Sequence, residues 1–430
     1  MKAGDLVEVA VERPAHGGFG VGTTAQDSRI CLVQGGIPGD VLRVRLTRAK
    51  KTFYQGEIAE VLRPAEARVE QRCEAAKNGA GCCDFGTVHP AAELALKVSI
   101  VQDQLRRLAR DAKLPDSGCE SHELPPHTGW RTRWRLGVDS EGRAGLRQQG
   151  GTSVVWEHQC VQAPDGLLDG IVGAGARRFT PGSEVLVALG SDGVRTVCQV
   201  RKAPRGRRSE RAYQHIEGPE LVSESVLGVR YQLPAAAFWQ AHRAAPAAYV
   251  TLAAEWLRSA LHGASGSGVG WDLYGGVGLF VPSLIDALRT TTAPNLTAVH
   301  SVETSPTAAR DGRRALRDLP VQFHRADVAR LVSSLPAPQA VVLDPPRQGA
   351  GAGVISAVAA AGPRAVLHIG CDPATFARDF GYWYEHGYVC TRLAVVNAFP
   401  GTHHSESFGL FEPIHLGYEG HKAALSRNGG

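Results

Sequence analysis

Three stretches of this chain carry side chains suited to covalent chemistry. In Ala365-Val366-Leu367-His368-Ile369-Gly370-Cys371-Asp372-Pro373 an apolar run ends at a thiol, and a proline suited to the first turn of a helix follows. Cys371 is thereby placed at the carboxyl end of a strand, where open α/β sheets bind their ligands. A helix N-terminus favours negative charge, so a lowered thiol pKa and a supply of thiolate are expected there. Val341-Val342-Leu343-Asp344-Pro345-Pro346-Arg347 is a second apolar strand, and it ends in an acid. Phe399-Pro400-Gly401-Thr402-His403-His404-Ser405-Glu406 is a polar loop that offers Glu406 as a base. A lone cysteine at a strand end is ordinarily a buried structural one. A thiol, an acid and a base at strand ends together describe a catalytic centre.

A second group of thiols lies far from the first. Cys73 is followed by the adjacent Cys82 and Cys83, with Cys160 well downstream. The chain starts without a charged and apolar leader, and no apolar segment approaches the length of a membrane span. A cytoplasmic protein is expected, in which nine cysteines are thiols, nucleophiles or metal ligands rather than disulfides. Spacing alone leaves three readings open: unliganded thiols, a zinc site lacking the usual CxxC pair, or a [4Fe–4S] cluster held by four thiolates. Cys82 and Cys83 point to opposite sides of an extended chain, so joint ligation requires a sharp turn, which Gly79 and Gly81 permit.

The elements that must position these groups fall into three regions, expected at residues 1–65, 66–235 and 236–430. Over the first, short alternating runs (Leu6 to Val11, Arg29 to Val33, Val41 to Leu46, Gly56 to Leu62) read as strands, with His16 to Gly20 and Gly35 to Asp40 as loops. Four or five strands in so short a span suggest a small OB-like barrel of the kind that binds oligonucleotides. The central region reads as a helix over 91–111 followed by mostly β structure. Its alternation in Trp130-Arg131-Thr132-Arg133-Trp134-Arg135 either joins phosphate contacts to base stacking or makes an ordinary amphipathic strand. The formal net charge is +5, and two basic runs, Arg43 to Lys51 and Arg201 to Arg211, are compatible with a nucleic-acid partner.

From about residue 236 helices and strands alternate, the sign of a parallel sheet. Gln240 precedes a helix over 244–262. The strand Gly268 to Tyr274 leads into a glycine run containing Gly275 and Gly278, where backbone approaches a ligand closely. A second strand, 296–302, ends at Glu303, an acid placed to accept ribose hydroxyls, and Asp327 ends the next. GxGxxG is not met and no second nucleotide half follows, so S-adenosylmethionine is favoured over a dinucleotide.

With these residues assembled, the chain resembles the RNA (uracil-5-)-methyltransferase family, in its branch that joins a TRAM domain to an iron–sulfur site and acts on ribosomal RNA. The resemblance rests on Gly18-Phe19-Gly20-Val21 and Ile37-Pro38-Gly39-Asp40 in the barrel. It rests further on Leu343-Asp344-Pro345-Pro346-Arg347-Gln348-Gly349, on Gly370 to Asp379 and on Phe399 to Glu406. It implies an α/β class I methyltransferase (Rossmann-like) domain behind the TRAM barrel and the central β domain. It also implies Cys371 as nucleophile and Glu406 as general base. Gln240, Tyr274, Gly275, Gly278, Glu303, Asp327 and Asp344 would line an S-adenosylmethionine pocket, and Cys73, Cys82, Cys83 and Cys160 would hold a [4Fe–4S] cluster. The implied partner is RNA, ribosomal RNA ahead of tRNA, with no membrane and a monomeric enzyme. The chain departs from the family pattern with Gly275 in place of Cys, Asn397 in place of Asp and His242 in place of Asn. The rivals are a cytosine-C5 methyltransferase, which would carry its nucleophile in the proline-rich strand end, and a non-catalytic RNA-binding protein. A radical S-adenosylmethionine enzyme is excluded, since Cys-x3-Cys-x2-Cys is missing.

Overall fold

The computed structural model describes residues 1–109, 111–202, 211–289 and 298–414. Most of the second basic run, together with Leu296, Thr297 and the stretch 415–430, lies outside the described residues.

Five strands, Leu6–Ala15, Phe19–Thr24, Ile30–Gln34, Val41–Ala49 and Phe53–Arg63, close into a barrel. Alternation in Val41–Ala49 sends Leu42, Val44 and Leu46 inward and leaves Arg43, Arg45 and Arg48 exposed. The strand Phe19–Thr24 begins inside the stretch expected to be a loop. Its glycines hid it, although they are needed there: a Cβ on Gly22 would lie 1.9 Å from the Ala10 carbonyl oxygen of the neighbouring strand.

The central region is built on a six-stranded antiparallel sheet and a separate hairpin, Leu221–Val226 with Val229–Pro234. The Arg–Trp alternation is packing. Trp130 and Trp134 are buried, Arg131 lies over the Trp134 ring, and Arg133 pairs with Glu224 at 3.1 Å. Neither ring is free to stack on a base.

The third region is an eight-stranded sheet. Five parallel strands run in the order Val321–Arg325, Ala298–Glu303, Val269–Leu273, Ala340–Leu343, Ala365–Gly370. Glu406–Pro413 and Tyr388–Asn397 follow as an antiparallel pair, and Glu120–Glu123 closes the edge, parallel to Tyr388–Asn397. Helices Ala245–Leu261 and Val281–Leu288 cover one face; Gly351–Ala360, Pro373–Glu385 and Pro90–Leu108 cover the other. Burial on both faces explains the continuous apolar runs: in Ala365–Gly370, Ala365, Leu367 and Ile369 face the first core and Val366 the second. The helix Pro90–Leu108 and the strand Glu120–Glu123 belong to this sheet although they precede residue 236, so the expected boundary is crossed. Among the described residues no helix is long and apolar enough to cross a membrane.

Candidate active site

Cys371 follows directly on Ala365–Gly370, and Glu406 opens the antiparallel strand beside it. Gly370 pairs with Ser407, and one more step along that register sets Cys371 opposite Glu406. Tyr274, Asp344 and Cys371 each stand one residue past a parallel strand, Glu303 ends its own, and Asp327 lies just past Val321–Arg325. One rim of the sheet therefore gathers these groups, while Gln240 is buried on the segment leading into the helix Ala245–Leu261.

Electrostatically the rim holds two carboxyls, those of Glu406 and Asp344, raised by burial. Glu406 is buried, and its Oε2 has no hydrogen-bond partner among the described residues. Burial, with Asp344 adding to it, pushes its carboxyl well above the usual range, and Arg347 opposes the shift. Burial raises Asp344 to about 7. The expectation of an acidic thiol is overturned: burial and then the charges of Glu406 and Asp344 push Cys371 up to about 12. The helix terminus does not serve the thiol, because Asp372 caps it and accepts the N–H groups of Ala374 and Thr375 at 3.0 and 2.9 Å. Against its partial burial, Asp372 is held well below the usual range by these donors and by His16, which reaches it from the barrel at 3.1 Å.

The glycine turn is strained and close-packed. Tyr274 takes φ of 58°, unusual for a bulky side chain, and a Cβ on Gly275 would lie 2.2 Å from Asp272 Oδ2. Glycine in place of the family's cysteine therefore fits the buried Asp272, which sequence reasoning left unremarked. Glu303 accepts the N–H groups of Gly276 and Ser305 at 3.1 and 2.6 Å, which fixes its carboxylate at the turn.

The structure also gathers Cys73, Cys82, Cys83 and Cys160, whose Sγ atoms all lie within 4.8 Å of one another. The next residue, Asp84, was not anticipated. It accepts the backbone N–H of His403 at 3.0 Å and pairs with that imidazole in a very short contact. Phe85 donates its N–H to the Gly401 carbonyl at 3.0 Å, so the cysteine loop and the loop before Glu406 are clasped together. Lys97, buried, donates to Asn397 at 2.5 Å, and Asn397 donates to Glu123 at 2.9 Å. An amide serves there because an aspartate would face Glu123 with like charge. His242 stacks on Trp130 with centroids 5.4 Å apart and is a packing residue.

Comparison with known proteins agrees with this geometry. A TRAM domain model matches residues 2–59. A Corynebacterium glutamicum protein described as an uncharacterized RNA methyltransferase is 48% identical, covering 95% of this chain and 97% of its own. The chain belongs to the RNA methyltransferase family. Within that family it is 29% identical to a 23S rRNA (uracil(1939)-C(5))-methyltransferase, RlmD, of Halomonas elongata, over 94% of this chain and 89% of that protein. Its fold matches that of a tRNA (uracil-54, C5)-methyltransferase of Pyrococcus abyssi, solved with S-adenosyl-L-homocysteine. That match has a TM-score of 0.66 at 18% identity and covers 94% of this chain and all of the other.

RNA methyltransferases of this fold use S-adenosylmethionine, and the rim fits it: Gly275 and Gly278 of the glycine turn have no room for a side chain, and an anchored acid stands at the end of the second strand. The four-iron cluster implied by the resemblance fits less well. Each iron of such a cube takes its own cysteine, which sets the thiolates about 6 Å apart, whereas here no pair is separated by more than 4.8 Å.

Proposed function

We propose that the enzyme methylates C5 of a uracil in RNA, ribosomal RNA ahead of tRNA, as a cytoplasmic monomer. The observation that carries this reading is the strand register that sets Cys371 opposite Glu406, a buried acid whose Oε2 has no hydrogen-bond partner among the described residues. Uracil C5 is too weak a nucleophile to take a methyl group unaided. Addition of the Cys371 sulfur to C6 makes C5 carbanion-like. S-adenosylmethionine, when bound in the pocket of Gln240, Tyr274, Gly275, Gly278, Glu303, Asp327 and Asp344, supplies an electrophilic methyl group. Glu406 then takes the proton from C5, the C6–S bond breaks, and Cys371 is released.

The raised thiol pKa means that the resting site holds Cys371 as a thiol, so the proton leaves only as the base is engaged. Arg347 is the positive group that favours the anions of both Cys371 and Glu406. A raised carboxyl suits a group that must accept a proton near neutral pH and give it up again. The target base must be unpaired or extruded to reach Cys371 at the sheet rim.

The test is an RNA carrying 5-fluorouridine at candidate positions. Fluorine cannot leave as a proton does, so a denaturation-resistant protein–RNA adduct through Cys371 is expected. Adduct formation on 5-fluorocytidine instead would move the substrate to cytosine. Methylation with no adduct on either would refute covalent catalysis. Mapping methylated uridines in cells with and without the protein identifies the RNA.

A further inference from the structure

We propose that Cys73, Cys82, Cys83 and Cys160 hold a single tetrahedral zinc ion. The distances carry the assignment. Cys73 Sγ lies 3.7 Å from Cys82 Sγ and 3.7 Å from Cys160 Sγ, and Cys83 Sγ lies 3.5 Å from Cys160 Sγ. One ion bound at about 2.3 Å by four thiolates places the sulfurs roughly 3.8 Å apart along the edges of a tetrahedron. These three edges lie just under that value, and every pair lies within 4.8 Å, too short to span a cube.

A tetrahedral set of four thiolates suits zinc or an iron–sulfur centre, and the short edges favour a single ion. The site is closed, as structural zinc sites are: Cys73, Cys83 and Cys160 are buried and pack with Ala75, Leu167 and Leu168.

The surroundings suit a thiolate cage of net negative charge. Gln162 Nε2 donates to Cys83 Sγ at 3.3 Å and to the Cys82 carbonyl at 2.8 Å, and the Val161 N–H donates to Cys73. The Arg131 guanidinium, largely enclosed, stands within electrostatic range of Cys82, Cys83 and Cys160. Such outer donors orient ligands and offset their charge. The adjacent pair can both ligate because the chain folds back there. Gly79 takes φ of 92°, and the Cys83 carbonyl accepts the Gly86 N–H in a turn at 3.0 Å.

Cys160 comes from a segment 87 residues beyond Cys73. The ion therefore ties the cysteine loop to the central domain, and through Asp84 and Phe85 it fixes the far side of the loop that ends at Glu406. Its role is to position that loop; no chemical step passes through it.

The experiment uses the full-length chain, produced with iron and zinc both supplied and purified without oxygen. Elemental analysis, acid-labile sulfide and the visible spectrum are then read. The expected result is about one zinc per chain, no sulfide and no iron–sulfur absorbance. Exchange with cobalt should give the ligand-field bands of a tetrahedral tetrathiolate. Cys82→Ser alters the most exposed ligand and is the variant most able to fold; it should release zinc to a chelator at least tenfold faster and shift the cobalt bands. About four irons with matching sulfide would overturn the proposal. So would one iron without sulfide, a metal-free protein, or a Cys82→Ser protein with unchanged zinc release and cobalt spectrum.

Discussion

Two buried carboxylates, one in the barrel and one at the sheet rim, are treated in opposite ways. Asp40 is 1% exposed and Glu406 6%. Asp40 accepts the N–H groups of Ile37 and Ala65 at 2.7 and 2.8 Å, and Arg68 binds both of its oxygens at 2.8 and 2.6 Å. Every lone-pair direction of that anion is occupied, so it holds a turn in place. Glu406 has one oxygen with no hydrogen-bond partner among the described residues and stands near two further acidic groups, Asp344 and Cys371. A fold that needs a permanent anion surrounds it with donors; a site that must move a proton withholds them.

That contrast can be broken from either side. The largest effect is expected from Cys371→Ala, with methyl transfer falling at least about a thousandfold and S-adenosylmethionine binding near normal in equilibrium titration. Retained turnover would remove Cys371 from the chemistry. Glu406→Gln should lower turnover by about 10²–10⁴-fold and accumulate an adduct of the methylated base, with a melting temperature no lower than wild type because burial already disfavours the charged carboxyl and its Oε2 has no hydrogen-bond partner among the described residues. Failure to form any adduct would make Glu406 a binding group and leave the base unassigned.

Asp40→Asn inverts this outcome. Breaking a buried, multiply bonded pair strands Arg68 and should cost about 3–5 kcal/mol of stability in denaturant unfolding, while turnover per folded molecule stays the same. The smallest effect concerns pH. The folded protein holds Asp344 protonated up to about pH 7, well above the ordinary 3.8. Between those values the native state binds a proton that the unfolded chain has lost, so stability falls as pH rises through that window. A melting temperature several degrees lower at pH 8 than at pH 5 is expected, with the difference reduced in Asp344→Asn. Turnover should move the opposite way and rise with pH, since Glu406 as base and Cys371 as nucleophile both act in their deprotonated forms.

Most of the rim could be read in the sequence because parallel strands announce themselves. Val341 to Leu343 is apolar throughout and Ala365 to Gly370 is broken only by His368, and the residue that follows each run is the functional one. What escaped depends on contacts between distant segments. Nothing near Cys371 shows that Glu406 will lie opposite it and raise its pKa, since that follows from the pairing of Gly370 with Ser407. Asp84 looks like any loop acid until His403, 319 residues later, closes on it. The strands Phe19–Thr24 and Glu120–Glu123 were missed because glycines break the first and charges dominate the second. The Trp–Arg alternation was legible as a strand, yet only packing reveals that both rings face inward.

The edge strand Glu120–Glu123 sets a schedule for the chain as it is made. Its neighbour in the sheet is Tyr388–Asn397, and the bond from Asn397 to Glu123 joins residues 274 positions apart. A ribosome releases the short strand long before its partner exists, so it must wait, unpaired, while the central domain and nearly all of the catalytic core emerge. Closure of so long a loop is slow compared with local folding. The sheet is therefore completed only once Tyr388–Asn397 has emerged, and a chain cut short before residue 388 would leave the cell a half-built edge for proteases to find.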